Sequence, residues 1–281
     1  ASHVRDTRTV SKRLRQPLRS PHHRRASMAT IADLMVVAAE RLRDETLLPV
    51  REIHPTLVGS GIWAGTPALF IRLQGCPVGC PWCDQPGMWD LPIAQDDDEQ
   101  AAEEEIEITD TNPASARWRW LSTTRLLALI TSYPQRHVVI SGGEPALYDL
   151  RDLTAALLAA GLSVAVETSG TIPLQVAANT WVTLSPKHDQ PGGLRVADAA
   201  YRRASEIVVV ITGPDDRRWI DRALKARRRS DVPIFLAPEL GRRLADPSAG
   251  HHQSLLLLCH HLALEYGCRL ALQADHTLTM L

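Results

Sequence analysis

The sequence predicts an α/β fold in which a parallel sheet is wrapped by helices. Short apolar, β-branched runs alternate with longer amphipathic stretches through the second half of the chain. Strands that alternate with helices pack as a parallel sheet with crossover helices on its face. The polar and Gly-rich segments stand where the apolar runs end, which is where sites on such sheets form. With 281 residues, 44% of them hydrophobic and 22% charged, the chain can bury a sizeable core.

The elements follow in order. Residues 1–27 carry eight basic residues (Arg5, Arg8, Lys12, Arg13, Arg15, Arg19, Arg24 and Arg25) against one acid, Asp6. A transit peptide or a nucleic-acid arm would share this composition. Without apolar periodicity, the segment reads better as a disordered basic extension ahead of one domain at 28–281. The remainder carries 23 basic and 31 acidic residues. Residues 30–48 predict an amphipathic helix, with Leu34, Val37, Ala38, Leu42 and Leu47 near one face. Ala68 to Leu73 predicts a short apolar strand. Residues 91–117, with Asp96-Asp97-Asp98-Glu99 and Glu103-Glu104-Glu105, predict a solvated acidic insertion.

Ser122 to Ser132 predicts a helix capped by Ser122. Strands follow at Val138 to Ile140, Ser163 to Val166, Val182 to Leu184, Ile207 to Ile211, Ile234 to Leu236 and Arg269 to Leu272. Helices are expected at Tyr148 to Ala160, residues 194–204, Asp215 to Arg228 and Ser254 to Tyr266. No run approaches the roughly 20 apolar residues of a membrane span, and the start lacks the apolar middle of a secretory signal. Five cysteines are sparse for a disulfide framework in so long a chain. A reducing cytoplasm is the expected compartment.

Three of those cysteines lie within eight residues, in Gly75-Cys76-Pro77-Val78-Gly79-Cys80-Pro81-Trp82-Cys83-Asp84. Soft thiolates so close together hold a soft or borderline metal. A zinc site with a distant fourth ligand is one reading. The other is a four-iron cluster on Cys76, Cys80 and Cys83, with one iron open to an outside ligand and Trp82 beside it. Val138-Val139-Ile140 runs into Ser141-Gly142-Gly143-Glu144-Pro145. The double glycine allows close backbone approach, and Glu144 is placed to hold an ammonium group. Glu167-Thr168-Ser169-Gly170-Thr171 ends the next strand with groups that can bond a ribose. Leu184-Ser185-Pro186-Lys187 ends the one after, where Lys187 could meet a carboxylate and Ser185 a polar edge. Each segment also has a plain reading as turn chemistry. His54, His137, His188, His260 and His261 need no ligand role, and Cys259 and Cys268 read as small buried side chains.

Together these motifs are specific. The cysteine run resembles the radical SAM signature, in which S-adenosylmethionine (SAM) binds the open iron. Phe70 to Asp84, His137 to Pro145, Glu167 to Thr171 and Trp181 to Lys187 resemble, in that order, the 7-carboxy-7-deazaguanine synthase family. The similarity spans roughly residues 52–275. The resemblance implies a partial, open (β/α)6-type barrel and a homodimer. It implies a 4Fe–4S cluster on Cys76, Cys80 and Cys83. It places SAM against Trp82, Gly142, Gly143, Glu144, Thr168, Ser169, Ser185 and Lys187. It also implies a one-electron donor such as a flavodoxin or ferredoxin. The family forms a 5′-deoxyadenosyl radical, contracts the ring of 6-carboxy-5,6,7,8-tetrahydropterin, releases ammonia and regenerates SAM. Magnesium assists, held partly by a Thr that here is Gln85, whose amide oxygen reaches differently.

The chain departs from that pattern on the substrate side. Val58-Gly59-Ser60-Gly61 stands where the family has Gln-Gly-Glu-Gly, and Ala237-Pro238 where it has Gln-Pro. Val208 replaces a common basic residue, and Gln273-Ala274-Asp275-His276 replaces Gln-Thr-His. Arg72 is kept and could hold a substrate carboxylate. A deazaguanine synthase and a paralogue acting on another carboxylated small molecule or peptide are both expected readings. A nucleic-acid-binding iron–sulfur or zinc protein is the reading from another class. The acidic remainder and the lack of aromatic interleaving in the tail argue against it.

Overall fold

The computed structural model describes residues 47–92, 118–239 and 249–271. A nine-stranded open sheet organises them, in the order β3-β1-β2-β4-β5-β6-β7-β8-β9. β1 (Leu47–Leu57) and β2 (Pro67–Leu73) form an antiparallel hairpin, and β3 (Arg119–Ser122) pairs antiparallel along β1. From β2 outward every pairing is parallel: β4 (His137–Gly142), β5 (Ser163–Thr168), β6 (Trp181–Leu184), β7 (Glu206–Ile211), β8 (Ile234–Pro238) and β9 (Arg269–Leu270). The helices are α1 (Thr123–Ser132), α2 (Arg151–Ala159), α3 (Asp198–Arg203), α4 (Arg217–Ala226) and α5 (Ala249–Tyr266).

Residue alternation gives the sheet two different faces. The outer face carries the main cores. Leu69, Ile71, Leu73, Val138, Ile140, Val164 and Val166 pack against Leu126 and Ile130 of α1 and Leu153 and Leu157 of α2. Ile207, Val209, Ile211, Ile234 and Leu236 pack against Tyr201 of α3, Ile220 and Ala223 of α4, and Cys259 and Leu262 of α5. Each fully buried aliphatic side chain contributes about 1.5–3 kcal/mol relative to exposure. This layer therefore holds the fold, and the inner face is left for chemistry.

The expected strands form, each within two residues of its predicted ends where the chain is described. Ser122 caps α1, its hydroxyl accepting from the Arg125 N–H at 3.2 Å. The helix expected over 194–204 is shorter, Asp198–Arg203. The helix expected over 30–48 is corrected at its end. Leu47 and Leu48 belong to β1, and Leu48 faces the outer core. Residues 1–46, the acidic stretch at 93–117 and the Gln273-Ala274-Asp275-His276 segment lie outside the described residues. Strands β1 and β3 were not expected. Pro49 and Pro55 make Leu47–Leu57 read as a poor strand, yet β1 tolerates both as part of an antiparallel hairpin near the sheet edge.

Candidate active site

The C-terminal ends of the parallel strands meet the cysteine loop. That loop leaves β2 at Gln74, whose N–H bonds the Pro49 carbonyl at 2.8 Å and whose carbonyl accepts from Tyr148 Oη at 2.5 Å. The Gln74 amide donates to the carbonyls of Gly87 (3.2 Å) and Asp90 (2.9 Å), pinning the far end of the loop. The loop then rests on the double glycine after β4. The Gly143 N–H bonds Leu73 O and the Glu144 N–H bonds Gly75 O, both at 2.8 Å. A Cβ at Gly143 would overlap the Gly75 carbonyl, so this contact requires glycine.

The three loop thiols share one electrostatic environment. Burial pushes the Cys76 thiol up, with Glu144, Cys80 and Cys83 all adding to the rise. Burial raises Cys80 to about 11, against the pull of Lys187. Burial also raises Cys83, while hydrogen bonding from the Trp89 side chain and the charge of Lys187 lower it. Cys259 and Cys268 instead belong to the outer core under α5. The loop thus offers three thiols and no fourth, near a lysine that favours the anionic forms of Cys80 and Cys83. This donor set fits a cluster with one iron left free of protein ligands.

Glu144 is 1% exposed. Its Oε1 accepts from Thr168 Oγ1 at 2.6 Å and the Ala146 N–H at 3.0 Å. Its Oε2 accepts from the Ser169 N–H at 2.8 Å and from Ser169 Oγ. Those four donors fill the lone-pair positions of a carboxylate. Glu144 therefore ties the tips of β4 and β5 together, and an ammonium group would have to share or displace one of these donors. Ser141 Oγ donates to Glu167 Oε2 at 2.7 Å on the same two strands. At the tip of β6, Lys187 Nζ donates to Ser185 Oγ at 2.5 Å, and the backbones of Ser185 and Lys187 bond the carbonyls of Thr168 and Ser169. Gly142 to Glu144, Thr168, Ser169, Ser185 and Lys187 are thus gathered at one end, beside the cysteines.

The arrangement matches known proteins. The family model described as the Radical SAM superfamily matches residues 70–205. The 7-carboxy-7-deazaguanine synthase of Escherichia coli (strain K12) is 44% identical over 194 residues, which is 67% of this chain and 82% of that protein. The protein of the same name from Synechocystis is 35% identical over 214 residues, 76% and 84% of the two chains. The crystal structure of QueE from Escherichia coli superposes with a TM-score of 0.66 at 34% identity, covering 84% of this chain and 96% of that one. The chain belongs to the 7-carboxy-7-deazaguanine synthase family. It is a radical SAM enzyme, and membership of that superfamily implies a 4Fe–4S cluster and SAM.

The family's substrate-side positions are divided by the fold. Arg72, near the end of β2, pairs through Nε with Glu52 Oε1 at 2.6 Å. Glu52 sits on the unexpected strand β1. A bulge between Val50 and Glu52 sets the register that places it opposite Arg72. His54, two residues on, stacks on Phe70 with centroids 5.9 Å apart and has Nδ1 3.4 Å from Glu52 Oε1. Burial and then the Arg72 charge hold the His54 pKa down to about 4, so the ring is neutral near pH 7. Ala237 and Pro238 end β8, where Ala237 joins Val208, Phe235 and Ala271 in an apolar cluster.

Val58, Gly59, Ser60 and Gly61 do not lie at the cysteine end. β1 runs opposite to β2, so its following loop emerges at the N-terminal end of the parallel strands. There Val58 packs with Ala68, Phe70, Val139 and Ala165. Trp63 stacks on His137 with centroids 4.7 Å apart and meets Trp181 edge-on at 6.0 Å. This loop forms a floor beneath the inner face. His137 Nε2, Trp63 Nε1 and Trp181 Nε1 are buried in it with no hydrogen-bond partner among the described residues. Sequence reasoning assigned no role to Glu52, Trp63 or Trp181. Only the alternation of Glu52 and His54 with apolar neighbours hinted that β1 presents side chains inward.

Proposed function

We propose that this enzyme carries out the 7-carboxy-7-deazaguanine synthase type of reaction, a radical rearrangement of a carboxylated heterocycle such as 6-carboxy-5,6,7,8-tetrahydropterin. The observation that carries it is the gathering of three cysteine thiols, Glu144 and Lys187 at one end of the sheet. Cys76, Cys80 and Cys83 would hold the cluster, with Trp82 flanking the last thiolate. When bound, the cluster supplies the electron that cleaves SAM to a 5′-deoxyadenosyl radical. The protein's own part is to bind and orient. Gly142, Gly143 and Glu144 receive the amino end of SAM. Thr168 and Ser169 serve its ribose, and Ser185 and Lys187 its carboxylate. Arg72 is steadied by Glu52, which leaves its two terminal nitrogens for a substrate carboxylate. The electron comes from a flavodoxin or ferredoxin, the working unit is a homodimer in the cytoplasm, and Gln85 takes the place of the family's magnesium threonine.

The test is anaerobic incubation of the reconstituted chain with SAM, a reductant and 6-carboxy-5,6,7,8-tetrahydropterin, followed by mass spectrometry. Formation of 7-carboxy-7-deazaguanine is the expected result, and SAM cleavage without it would refute the pterin as substrate. One observation supports a second reading. Val208, Phe235, Ala237 and Ala271 make part of the inner wall apolar. A site matched to a pterin's dense polar edge would lose about 1–3 kcal/mol for each partner it fails to supply. A carboxylated ring with one less polar edge suits that wall, and its signature is 5′-deoxyadenosine formation without the deazaguanine.

A further inference from the structure

Glu206 is the first residue of β7 and is 2% exposed. Its Oε1 accepts from Thr183 Oγ1 at 2.7 Å. Its Oε2 accepts from the Ile62 N–H at 2.8 Å. Ile62 belongs to the loop between β1 and β2, 144 residues earlier, so the carboxylate reaches back across the sheet. Gly61 adopts φ +79°, and a Cβ there would overlap the Glu206 carboxylate. Thr183 fixes the carboxylate, the carboxylate fixes Gly61 and Ile62, and these set where Val58, Ser60 and Trp63 lie.

We propose that Glu206 is the latch of the barrel floor, a positioning residue for substrate that acts through Gly61 and Ile62. A buried carboxylate is costly unless its oxygens are bonded, and here each oxygen bonds a different element. The latch therefore couples the order of the 58–66 loop to Thr183 on β6 and to the start of β7. Its partners, Thr183 and Ile62, are not among the residues assigned to SAM, and SAM binding does not depend on it. The substrate role rests on the reaction proposed above, whereas the latch itself does not.

The experiment uses the full reconstituted chain carrying Glu206→Gln, Glu206→Ala or Gly61→Ala. Hydrogen exchange of peptides covering 58–66 is compared with peptides from the cysteine loop. Losing a charge-assisted hydrogen bond should speed exchange at 58–66 by about tenfold or more, a local opening that spares the cysteine loop. Glu206→Gln keeps one acceptor oxygen and should recover part of the protection. Substrate-free formation of 5′-deoxyadenosine from SAM should stay within about twofold of the parent, while KM for 6-carboxy-5,6,7,8-tetrahydropterin rises more than kcat falls. Gly61→Ala and Glu206→Ala should be non-additive when combined. Unchanged exchange at 58–66 in both Glu206 variants, or SAM cleavage lost in step with it, would overturn the latch. Absence of pterin turnover by the parent would count against the proposed reaction only, since exchange and SAM cleavage still decide the latch.

Discussion

At the scale of single residues, Glu144 shows how one side chain organises a site. It satisfies two backbone N–H groups and two hydroxyls from separate elements. Glu144→Ala would leave those donors unpaired, at about 1–3 kcal/mol each. SAM affinity should fall by at least about tenfold and 5′-deoxyadenosine formation should stop, with about four iron per chain retained. Equilibrium SAM binding and iron analysis on the same sample check this, and undiminished SAM cleavage would remove Glu144 from the site. Single Cys→Ala changes at Cys76, Cys80 or Cys83 should lower iron content, whereas Cys259→Ala should not. His188 allows a pH prediction. Its ring stacks on Trp219 with centroids 4.0 Å apart, and Nε2 lies 2.7 Å from Tyr201 Oη. Burial, then the Arg222 charge, lowers its pKa from 6.5 to about 4. The folded chain then binds fewer protons than the unfolded one between those values. The stability it contributes is complete above 6.5 and is lost as pH falls toward 4. His188→Phe keeps the stack and should flatten the acid side of a denaturation-midpoint profile measured on the iron-free chain. An unchanged slope would point to His54 or His137 instead.

At the scale of elements, the two faces of the sheet predict different costs. Ile140 is fully buried on the outer face of β4, beneath α1 and α2. Ile140→Ala should destabilise the chain by about 2–5 kcal/mol, read as a shift in denaturant midpoint without a change in the chemistry at Glu144. Ser122→Ala removes the cap of α1 and should cost about 1 kcal/mol, because that hydrogen bond is exposed to water. A larger cap effect than core effect would mean that α1 is held by its end rather than by Leu126 and Ile130. The β1–β2 hairpin links the two ends of the inner face. It brings Glu52 to Arg72 and carries the floor loop beneath the inner face.

At the scale of the whole molecule, charge is unevenly divided between residues 1–27 and the acidic remainder. If the basic stretch serves neither cluster nor SAM, deleting it should leave iron content and SAM cleavage unchanged. Salt-dependent nucleic-acid binding lost on that deletion would revive the reading from another class. The sheet carries cofactor chemistry at one end and a closed floor at the other, and Arg72 stands between them on β2.

The sequence by itself determined the α/β class, the parallel order from β2 onward, the three-cysteine loop and the strand-end motifs. These are local signals: apolar runs of strand length, helical spacing, and soft ligands within eight residues. It did not reveal β1, because two prolines and interspersed charges mask a strand whose inward side chains have partners only across the sheet. It placed Glu144 at a strand tip but not the four donors that enclose it, which come from residues up to 25 positions away. The Val58–Gly61 segment could be matched to its family motif, yet only tertiary structure put it at the floor. That placement depends on the antiparallel direction of β1 and on a carboxylate 144 residues along the chain. Pairings over such distances follow from how the sheet curves and which face each side chain takes, and no local pattern encodes them.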